Sequence, residues 1–282
     1  MIRALLICVG FLFSICSRAG DNNTKSLLWE VTGNGMQKPS YIYGTIHVIN
    51  KKDFFITPKV KKSLKKSDKL IMELALDKPD LKIQMTDMLM PQGFSLDSVV
   101  GKENYARLSK FIADSLHLSA DLFRHMKPVF VYQMITGLMM GQDIASYEMV
   151  FTEAFQKASK PIEGLETLDF QLSLMNKIPY SEQTKMLMDC VDHFAKSKTE
   201  IEALVENYKK EDLEALRDSK EEDPKIEQLL LNGRNEQWVP KIKQLMGKQS
   251  NFIAVGAAHL AGPEGLLNLL RKEGYSVTAV AR

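Results

Sequence analysis

Two histidines, His47 and His259, hold the same position in two similar segments near opposite ends of the chain. Each follows a run of β-branched and aromatic residues, then a glycine and two small or apolar residues. Such a run has the composition of a buried strand. The glycines, Gly44 and Gly256, lack the Cβ that would block close approach of a ligand or backbone. The pattern predicts each histidine where a strand meets its loop, a common place for active-site residues in α/β sheets.

One acidic residue, Glu73, lies inside the almost continuously apolar segment 69–76. That pattern predicts a strand covered on both faces. A carboxylate there is costly to bury unless it meets a cation, a metal ion or hydrogen-bond donors. The alternative is a glutamate on an edge strand that faces solvent.

Two imidazoles and a buried carboxylate form a set that can bind a divalent metal ion and activate water. These ligand types suit zinc, manganese, cobalt or iron. The same set also works without metal, with a histidine as general base and Glu73 orienting it. The residues alone leave both alternatives open. The sequence contains no His-Glu-x-x-His helix, Gly-x-Ser-x-Gly elbow, P-loop or Gly-x-Gly-x-x-Gly segment, which argues against those routes.

The elements predicted around the two histidines follow the same order at both ends of the chain: a strand, a loop that carries the histidine, and a helix. Strand candidates at 27–31 and 41–47 enclose a turn and predict a hairpin. Thr57 and Pro58 predict the start of the following helix. After the segment that ends at His259, Pro263 and Glu264 predict the first turn of another helix, before a last strand at 276–280.

The middle of the chain, about 79–231, is predicted to be predominantly helical because apolar residues recur at three-to-four spacing. The predicted helices are 81–90, 103–116, 128–140, 144–158, 182–196, 201–208 and 213–218. An extended segment, 160–166, interrupts them, and Thr167 then caps a helix that carries Gln171. Later, a helix at 226–231 is predicted to end at Asn232-Gly233, where Arg234 opens the next. The predicted fold is α/β (α+β), a mixed central sheet built from two strand–Gly-x-x-His–helix halves with a helical insertion.

Five short motifs in this order resemble those of the TraB/GumN family, to which the Tiki metalloproteases belong. They are Gly44-Thr45-Ile46-His47, Met72-Glu73-Leu74, Gly164-Leu165-Glu166-Thr167 with Gln171, Arg234-Asn235 with Trp238, and Gly256-Ala257-Ala258-His259. The resemblance implies an α/β domain with a mixed sheet and a helical insertion. It also implies metal-dependent peptide-bond hydrolysis centred on His47, Glu73 and His259. The wider superfamily implies two other activities, erythromycin-esterase-like hydrolysis and haem binding by envelope lipoproteins.

On this resemblance, His47 and His259 are predicted metal ligands, and Glu73 is a third ligand or the general base. Four further residues are expected to shape the site or hold an oxyanion: Glu166, Gln171, Arg234 and Asn235. Arg234 is the candidate for stabilising developing negative charge. The expected cofactor is a divalent metal ion (manganese, cobalt or zinc), and the expected substrate is a peptide or protein.

The start of the chain predicts export. A basic residue and an apolar run within 1–19 are typical of a secretory signal, with cleavage expected after Ala19. Cys16 provides an alternative, because residues 13–16 loosely resemble a bacterial lipoprotein box that would place a lipid anchor there. Residues 20–26 are then a linker, and 27–282 a single domain in the periplasm or cell envelope.

The composition limits the classes of protein to which this chain can belong. With 282 residues, 45% of them hydrophobic, the chain has ample material for a core. A formal net charge of +2 gives no electrostatic case for nucleic acid. Beyond the predicted signal only Cys190 remains, so an intramolecular disulfide is excluded and a buried, inert thiol is expected. No later stretch is apolar enough to predict a membrane span.

The leading hypothesis is therefore an exported hydrolase, with metal-dependent peptide cleavage as its expected reaction. A second hypothesis is an envelope protein that binds haem or metal through the same histidines without turnover. A third is a structural or interaction module whose histidines are satisfied core residues. Function does not follow from fold alone, so these alternatives depend on how the side chains are arranged.

Overall fold

The computed structural model describes residues 25–77, 85–218 and 223–281. Its strands are β1 (Leu28–Thr32), β2 (Ser40–Thr45), β3 (Ile49–Asn50), β4 (Lys69–Met72), β5 (Ile144–Ala145), β6 (Ile162–Gly164), β7 (Asn251–Gly256) and β8 (Ser276–Ala279). Six of them form a mixed sheet in the order β6-β4-β7-β2-β1-β8, whereas β3 and β5 form a separate two-stranded ribbon. The predicted α/β class and mixed central sheet are confirmed.

Strand β7 connects the distant parts of the chain, because it lies between β4 and β2 and runs parallel to both. In its register, Gly256 is opposite Thr45 and Ala254 is opposite Met72. Strand β6 is parallel to β4 on the other side. The carboxyl ends of β2, β4, β6 and β7 therefore meet at one edge of the sheet. Strand β1 is antiparallel to β2, which confirms the predicted hairpin.

The helices are α1 (Pro58–Lys66), α2 (Leu96–Val100), α3 (Lys102–Phe111), α4 (Pro128–Met139), α5 (Tyr147–Lys157), α6 (Leu168–Lys177), α7 (Tyr180–Asp192), α8 (Phe194–Lys209), α9 (Leu213–Asp218), α10 (Pro224–Glu227), α11 (Gly233–Met246) and α12 (Leu266–Lys272). Thr57 accepts the N–H of Val60 and Thr167 accepts that of Phe170. Both predicted caps are therefore present at the starts of α1 and α6.

Two hydrophobic cores divide the described residues. The sheet core includes the fully buried Ile42, Leu70 and Ile253 and covers both faces of the central strands. A second core lies among the helices α2, α3, α4 and α7 and includes Leu108 and Leu187. Cys190 belongs to this helical core, and burial raises the pKa of its thiol to about 11. The expectation of a buried thiol is confirmed.

The predicted helical insertion is not uniform. Helix α5 belongs to the sheet core, where Phe151 and Phe155 are buried. Strand β6 joins the main sheet beside β4. Within the described part of this insertion, the helices around the second core, α2, α3, α4 and α7, pack apart from the sheet. The middle of the chain therefore contributes structure directly to the edge where the strands end.

The expected position of Glu73 inside a strand is wrong by one residue. Strand β4 ends at Met72, and Glu73 follows it. There the main-chain carbonyls of Met72 and Glu73 accept the N–H groups of Leu165 and Glu166. This bridge draws the chain after β4 toward the loop after β6. Glu73 therefore turns into the edge of the sheet instead of pointing away from one of its faces.

The helix break predicted at Asn232-Gly233 is also wrong. Helix α10 continues through a π-helical turn, Gln228–Asn232, into α11. Gly233 keeps right-handed helical backbone angles, and a Cβ there would lie 2.8 Å from the carbonyl oxygen of Gln228. The glycine permits a tight helical turn here and does not end the helix.

Several other boundaries differ from the predictions. Helix α12 begins at Leu266 after Gly265, so Pro263 and Glu264 precede it. The predicted helix 144–158 begins with the short strand β5, and α8 continues across the predicted gap before Ile201. Of the predicted helix 81–90, residues 81–84 lie outside the described residues, and Met85–Met88 form a 3₁₀ turn.

The predicted secretory signal, Cys16 and most of the predicted linker lie outside the described residues. Within the part of the chain that the structure describes, no helix combines the length and the apolar character needed to cross a membrane.

Candidate active site

Four parallel strands supply the side chains of the candidate site from the residues that follow them. His47 comes two residues after β2, Glu73 directly after β4, Glu166 two residues after β6 and His259 three residues after β7. The last of these lies in a 3₁₀ turn, Ala257–His259. This edge of an open α/β sheet is where ligands usually bind.

Glu73 lies at the centre of this group. Its Oε1 atom is 3.8 Å from Nε2 of His47 and 3.8 Å from Nε2 of His259. The main-chain N–H of Gly256 donates to the same oxygen at 2.8 Å. A Cβ on Gly256 would lie 3.3 Å from Nε2 of His47 and 3.4 Å from Oε1 of Glu73. The glycine therefore keeps open the small space on which the three groups converge.

Gly44 has a different role from its counterpart. A Cβ on Gly44 would lie 3.0 Å from the Cα of Ala257 and 3.0 Å from a methyl group of Leu260. Both atoms belong to the chain that follows β7. Gly44 thus lets the end of β2 pack closely against the turn that carries His259, and it does not face the converging groups.

Arg234 joins the two carboxylates of the site. Its Nη2 atom donates to Oε2 of Glu73 at 2.6 Å and to Oε2 of Glu166 at 2.7 Å. Its Nε atom donates to Oε1 of Glu166 at 3.0 Å, which completes a bidentate contact. Its Nη1 atom donates to the carbonyl of Leu230 at 3.0 Å and lies 3.2 Å from Nε2 of His259. Burial lowers the pKa of Arg234, but the hydrogen bond to Glu166 and the charges of both carboxylates raise it overall.

Glu166 anchors this arginine and is itself held at both oxygens. The indole N–H of Trp238 donates to Oε1 at 2.8 Å. The amide of Gln171 donates to Oε2 of Glu166 at 3.1 Å and to Oε2 of Glu73 at 3.3 Å. The predicted site residues Glu166 and Gln171 therefore lie in the same network as Glu73 and fix the position of Arg234.

His259 is almost fully buried, with 4% of its side chain exposed. Its Nδ1 atom lies 2.7 Å from Oδ1 of Asn235, whose Nδ2 donates to the carbonyls of His259 and Glu264. Because Oδ1 can only accept, Nδ1 of His259 carries the hydrogen and Nε2 faces Arg234. The ring also packs on Trp238, with ring centroids 4.4 Å apart.

His47 is much more open, with 62% of its side chain exposed. Its Nδ1 atom lies 2.9 Å from Oε1 of Glu148, in the first turn of α5. Loss of water around the ring lowers the pKa of His47, but the hydrogen bond to Glu148 and the charge of Glu73 raise it overall to about 9. Burial raises the pKa of the Glu148 carboxyl group, but its hydrogen bond with His47 is the largest of the interactions that lower this pKa overall.

Glu148 is a close neighbour of His47 that the sequence analysis missed. It follows the helix cap Ser146 by two residues, and an acidic residue in the first turn of a helix is ordinarily explained by the helix dipole. No other feature of the sequence indicates that this position faces His47, 101 residues earlier.

The surrounding charges act strongly on Glu73. Burial raises the pKa of its carboxyl group, but the two imidazoles, Arg234 and the N–H of Gly256 lower it overall to about 2. Glu73 is therefore an anion at any physiological pH. Among the described residues, no three His, Cys, Asp or Glu side chains are placed with the geometry of a metal site.

This fold and this edge cluster define an α/β protein with a buried carboxylate between two imidazoles at the ends of its parallel strands. Residues 27–279 match the model of the TraB/PrgY/gumN family. The chain belongs to this family, and the resemblance seen in its motifs is confirmed.

Curated relatives are distant in sequence. The chain is 22% identical to "Metalloprotease TIKI2" of Danio rerio, over 91% of this chain and 61% of that protein. It is 23% identical to "Metalloprotease TIKI1" of Homo sapiens, over 91% of this chain and 62% of that protein. The chain thus spans about three fifths of the length of these relatives. No solved structure matches it significantly.

Proposed function

We propose that this protein is a hydrolase that cleaves peptide bonds with a divalent metal ion held by His47, Glu73 and His259. The observation that carries the proposal is the position of Oε1 of Glu73, 3.8 Å from an imidazole nitrogen on each side. The names of its relatives as metalloproteases support the reaction class.

The residues fit a metal ion in their chemistry, whereas the 3.8 Å that separates Oε1 of Glu73 from each imidazole nitrogen is longer than the spacing of two ligands on one ion. Two neighbouring ligands of a tetrahedral zinc ion lie about 3.4 Å apart, which follows from metal–ligand bonds of about 2.1 Å. The nitrogens of His47 and His259 would therefore move toward Glu73 by a few tenths of an ångström. In addition, Nε2 of His259 would exchange its contact with Arg234 for the ion, because one lone pair cannot serve both.

The hydrogen bonds of Glu73 favour one of its two proposed roles. Its Oε2 atom accepts from Arg234 and Gln171 and its Oε1 atom from the N–H of Gly256, and such donors stabilise the anion as a ligand and weaken it as a base. We therefore assign Glu73 as the third ligand. Its Oε2 atom is held by Arg234 and Gln171, which leaves Oε1 directed at the space between the histidines.

A bound divalent ion would supply a water molecule with a pKa lowered toward ~7. The protein's own contribution is to orient the groups around that water. Arg234 lies next to this space and is fixed by Glu166. When Nε2 of His259 turns to the ion, the Nη1–H of Arg234 that points at it is released, and we assign this group to stabilise the negative charge that develops on the carbonyl oxygen of the substrate. Asn235 holds His259 through Nδ1 and does not reach an oxyanion, since its amide groups already bind His259 and Glu264.

A metal-independent hydrolase is a second candidate, and one contact favours it. The guanidinium of Arg234 already lies against both Glu73 and His259, where it supplies positive charge without a metal ion. In that case His47, which faces solvent, would act as the general base after losing the proton that it carries at neutral pH with a pKa of about 9.

We also propose export to the periplasm or cell envelope. The support is the basic and apolar start of the chain, with cleavage after Ala19 or lipid attachment at Cys16 as alternatives.

The test is metal analysis of the purified wild-type chain beside His47→Ala and a control, His125→Ala, whose exposed ring lies outside the site. We expect one divalent ion per chain in wild type and control and its loss in His47→Ala. Cleavage of a peptide library, after chelation and restoration of manganese, cobalt or zinc, then tests the reaction. Cleavage that survives chelation but not His47→Ala would select the metal-independent candidate. A haem absorption band without cleavage would select the non-catalytic alternative.

A further inference from the structure

Glu148 contacts His47 on the side opposite to Glu73. Helix α5 brings it there from the middle of the chain, so the carboxylate belongs neither to the four strand ends nor to any motif in the sequence. Only 14% of its side chain is exposed, although the imidazole it contacts is largely open to solvent. A buried carboxylate beside an exposed histidine requires an explanation.

The hydrogen bonds fix the direction of this contact. A carboxylate oxygen only accepts, so the hydrogen of the bond lies on Nδ1 of His47. The hydroxyl of Thr45 donates to the same Oε1 atom at 2.7 Å, and that of Ser146 donates to Oε2 at 2.9 Å. Glu148 is therefore held at both oxygens, once from the end of β2 and once from the cap of α5.

The exposed position of His47 makes such a partner necessary. His259 is held by burial and by stacking on Trp238, but the ring of His47 has a largely open surface. An exposed imidazole can rotate, and in its neutral form it can carry its hydrogen on either nitrogen. A hydrogen bond from one ring nitrogen to a carboxylate sets which nitrogen is left for a ligand.

We propose that Glu148 is a positioning residue that holds His47 with Nδ1 protonated and Nε2 turned toward Glu73. The helical middle of the chain then completes the candidate site through α5. The catalytic consequence rests on the proposed function, but the orientation of the ring does not.

The test compares Glu148→Ala and Glu148→Gln with a matched control, Glu153→Gln, an exposed position on the same helix that pairs with Lys157. The first measurement is the ¹H–¹⁵N NMR signal of the imidazole Nδ1–H in metal-free protein. It is assigned to His47 by its absence from His47→Ala. We expect this signal in wild type and Glu153→Gln and its loss in Glu148→Ala. Glu148→Gln should retain a weaker signal, because an amide oxygen also accepts.

The second measurement is metal affinity and peptide cleavage. We expect Glu148→Ala to weaken metal binding and kcat/KM by about 10–100-fold, with partial recovery in Glu148→Gln. If Glu148→Ala fails to fold, Thr45→Val removes one of the donors to Glu148 and should weaken the NMR signal in the same direction. An unchanged signal and unchanged metal affinity in Glu148→Ala would overturn the proposal. If wild type cleaves no peptide, the proposed function fails, while the NMR result still decides the role of Glu148.

Discussion

The two Gly-x-x-His segments share a sequence pattern, yet their histidines lie in opposite surroundings. His259 is 4% exposed and His47 is 62% exposed. Three residues of a single helix, α11, enclose His259: Arg234, Asn235 and Trp238. His47 is held from the other direction by Glu148 of α5.

This difference shows that one motif can place two groups of the same type in different surroundings. The buried imidazole lies in the interior of the protein, so its position is fixed by packing. The open imidazole faces solvent on much of its surface, so its position depends on hydrogen bonds. If both bind one ion, the site combines a rigid ligand with an accessible one.

The largest expected effect is a loss of peptide cleavage that is the same for both histidines. His47→Ala and His259→Ala should each lower kcat/KM for peptide cleavage by more than about 100-fold, because each removes a group next to Glu73. Steady-state kinetics on a peptide identified from the library measures this. His125→Ala should keep the wild-type value. A histidine variant with wild-type activity would remove that residue from the proposed centre.

Stability should separate the two histidines. His259→Ala should lower the free energy of unfolding by about 3 kcal/mol, because it leaves a cavity beside Trp238 and removes the partner of Asn235. His47→Ala should cost about 1 kcal/mol or less, as expected for an exposed side chain. Urea unfolding of both metal-free variants near neutral pH measures the difference between the two losses of unfolding free energy. Equal losses would contradict the contrast between a core and a surface histidine.

Loss of the hydrogen bonds between Asn235 and His259 should have a smaller effect on stability. Asn235→Ala should destabilise the fold by about 2 kcal/mol, since it leaves Nδ1 of His259 and the carbonyl of Glu264 without their partner. In the His259→Ala background the same change should cost about 1 kcal/mol less, because the two residues share a hydrogen bond. A double-mutant cycle by urea unfolding measures this coupling. Additive costs would show that the contact does not hold His259.

The smallest effect is the pH dependence of His47 in metal-free protein. Its folded-state pKa is raised to about 9 from the ordinary value of 6.5, so the protonated ring stabilises the fold. Because 62% of the side chain is exposed, solvent screens the charges of Glu148 and Glu73 and keeps this gain within the ~1 kcal/mol expected for His47→Ala. That contribution is fully present below pH 6.5 and is lost as pH rises through about 9. The decrease in the free energy of unfolding caused by His47→Ala should therefore be largest at and below pH 6.5 and should disappear above about pH 9. Urea unfolding at several pH values measures it. A cost that does not change with pH would show that Glu148 and Glu73 do not stabilise the charged ring.

Much of this arrangement was predictable from local patterns. The hairpin, the caps Thr57 and Thr167, and the positions of both histidines after strands followed from composition and turn residues. Glu73 was expected to be buried with charged partners, and it is. The errors at Asn232-Gly233 and at Pro263 arose because glycine and proline were interpreted as helix boundaries, whereas neighbouring backbone determined their actual roles.

Some features had no local signal. Nothing near Glu148 in sequence indicates that it faces His47, and nothing in the second Gly-x-x-His segment indicates that its histidine is buried. The guanidinium of Arg234 between two carboxylates depends on α11 lying across the ends of β4, β6 and β7. These contacts join residues that are 25 to 161 positions apart in the sequence.

The sequence by itself determined which residues could perform chemistry and that the two histidines follow strands, because strand composition and hydrophobic periodicity are local properties. The tertiary structure alone decided which of them meet, how deeply each is buried and which residue holds it. The physical reason is that strand order and helix packing bring distant segments together, and burial and charge act through space.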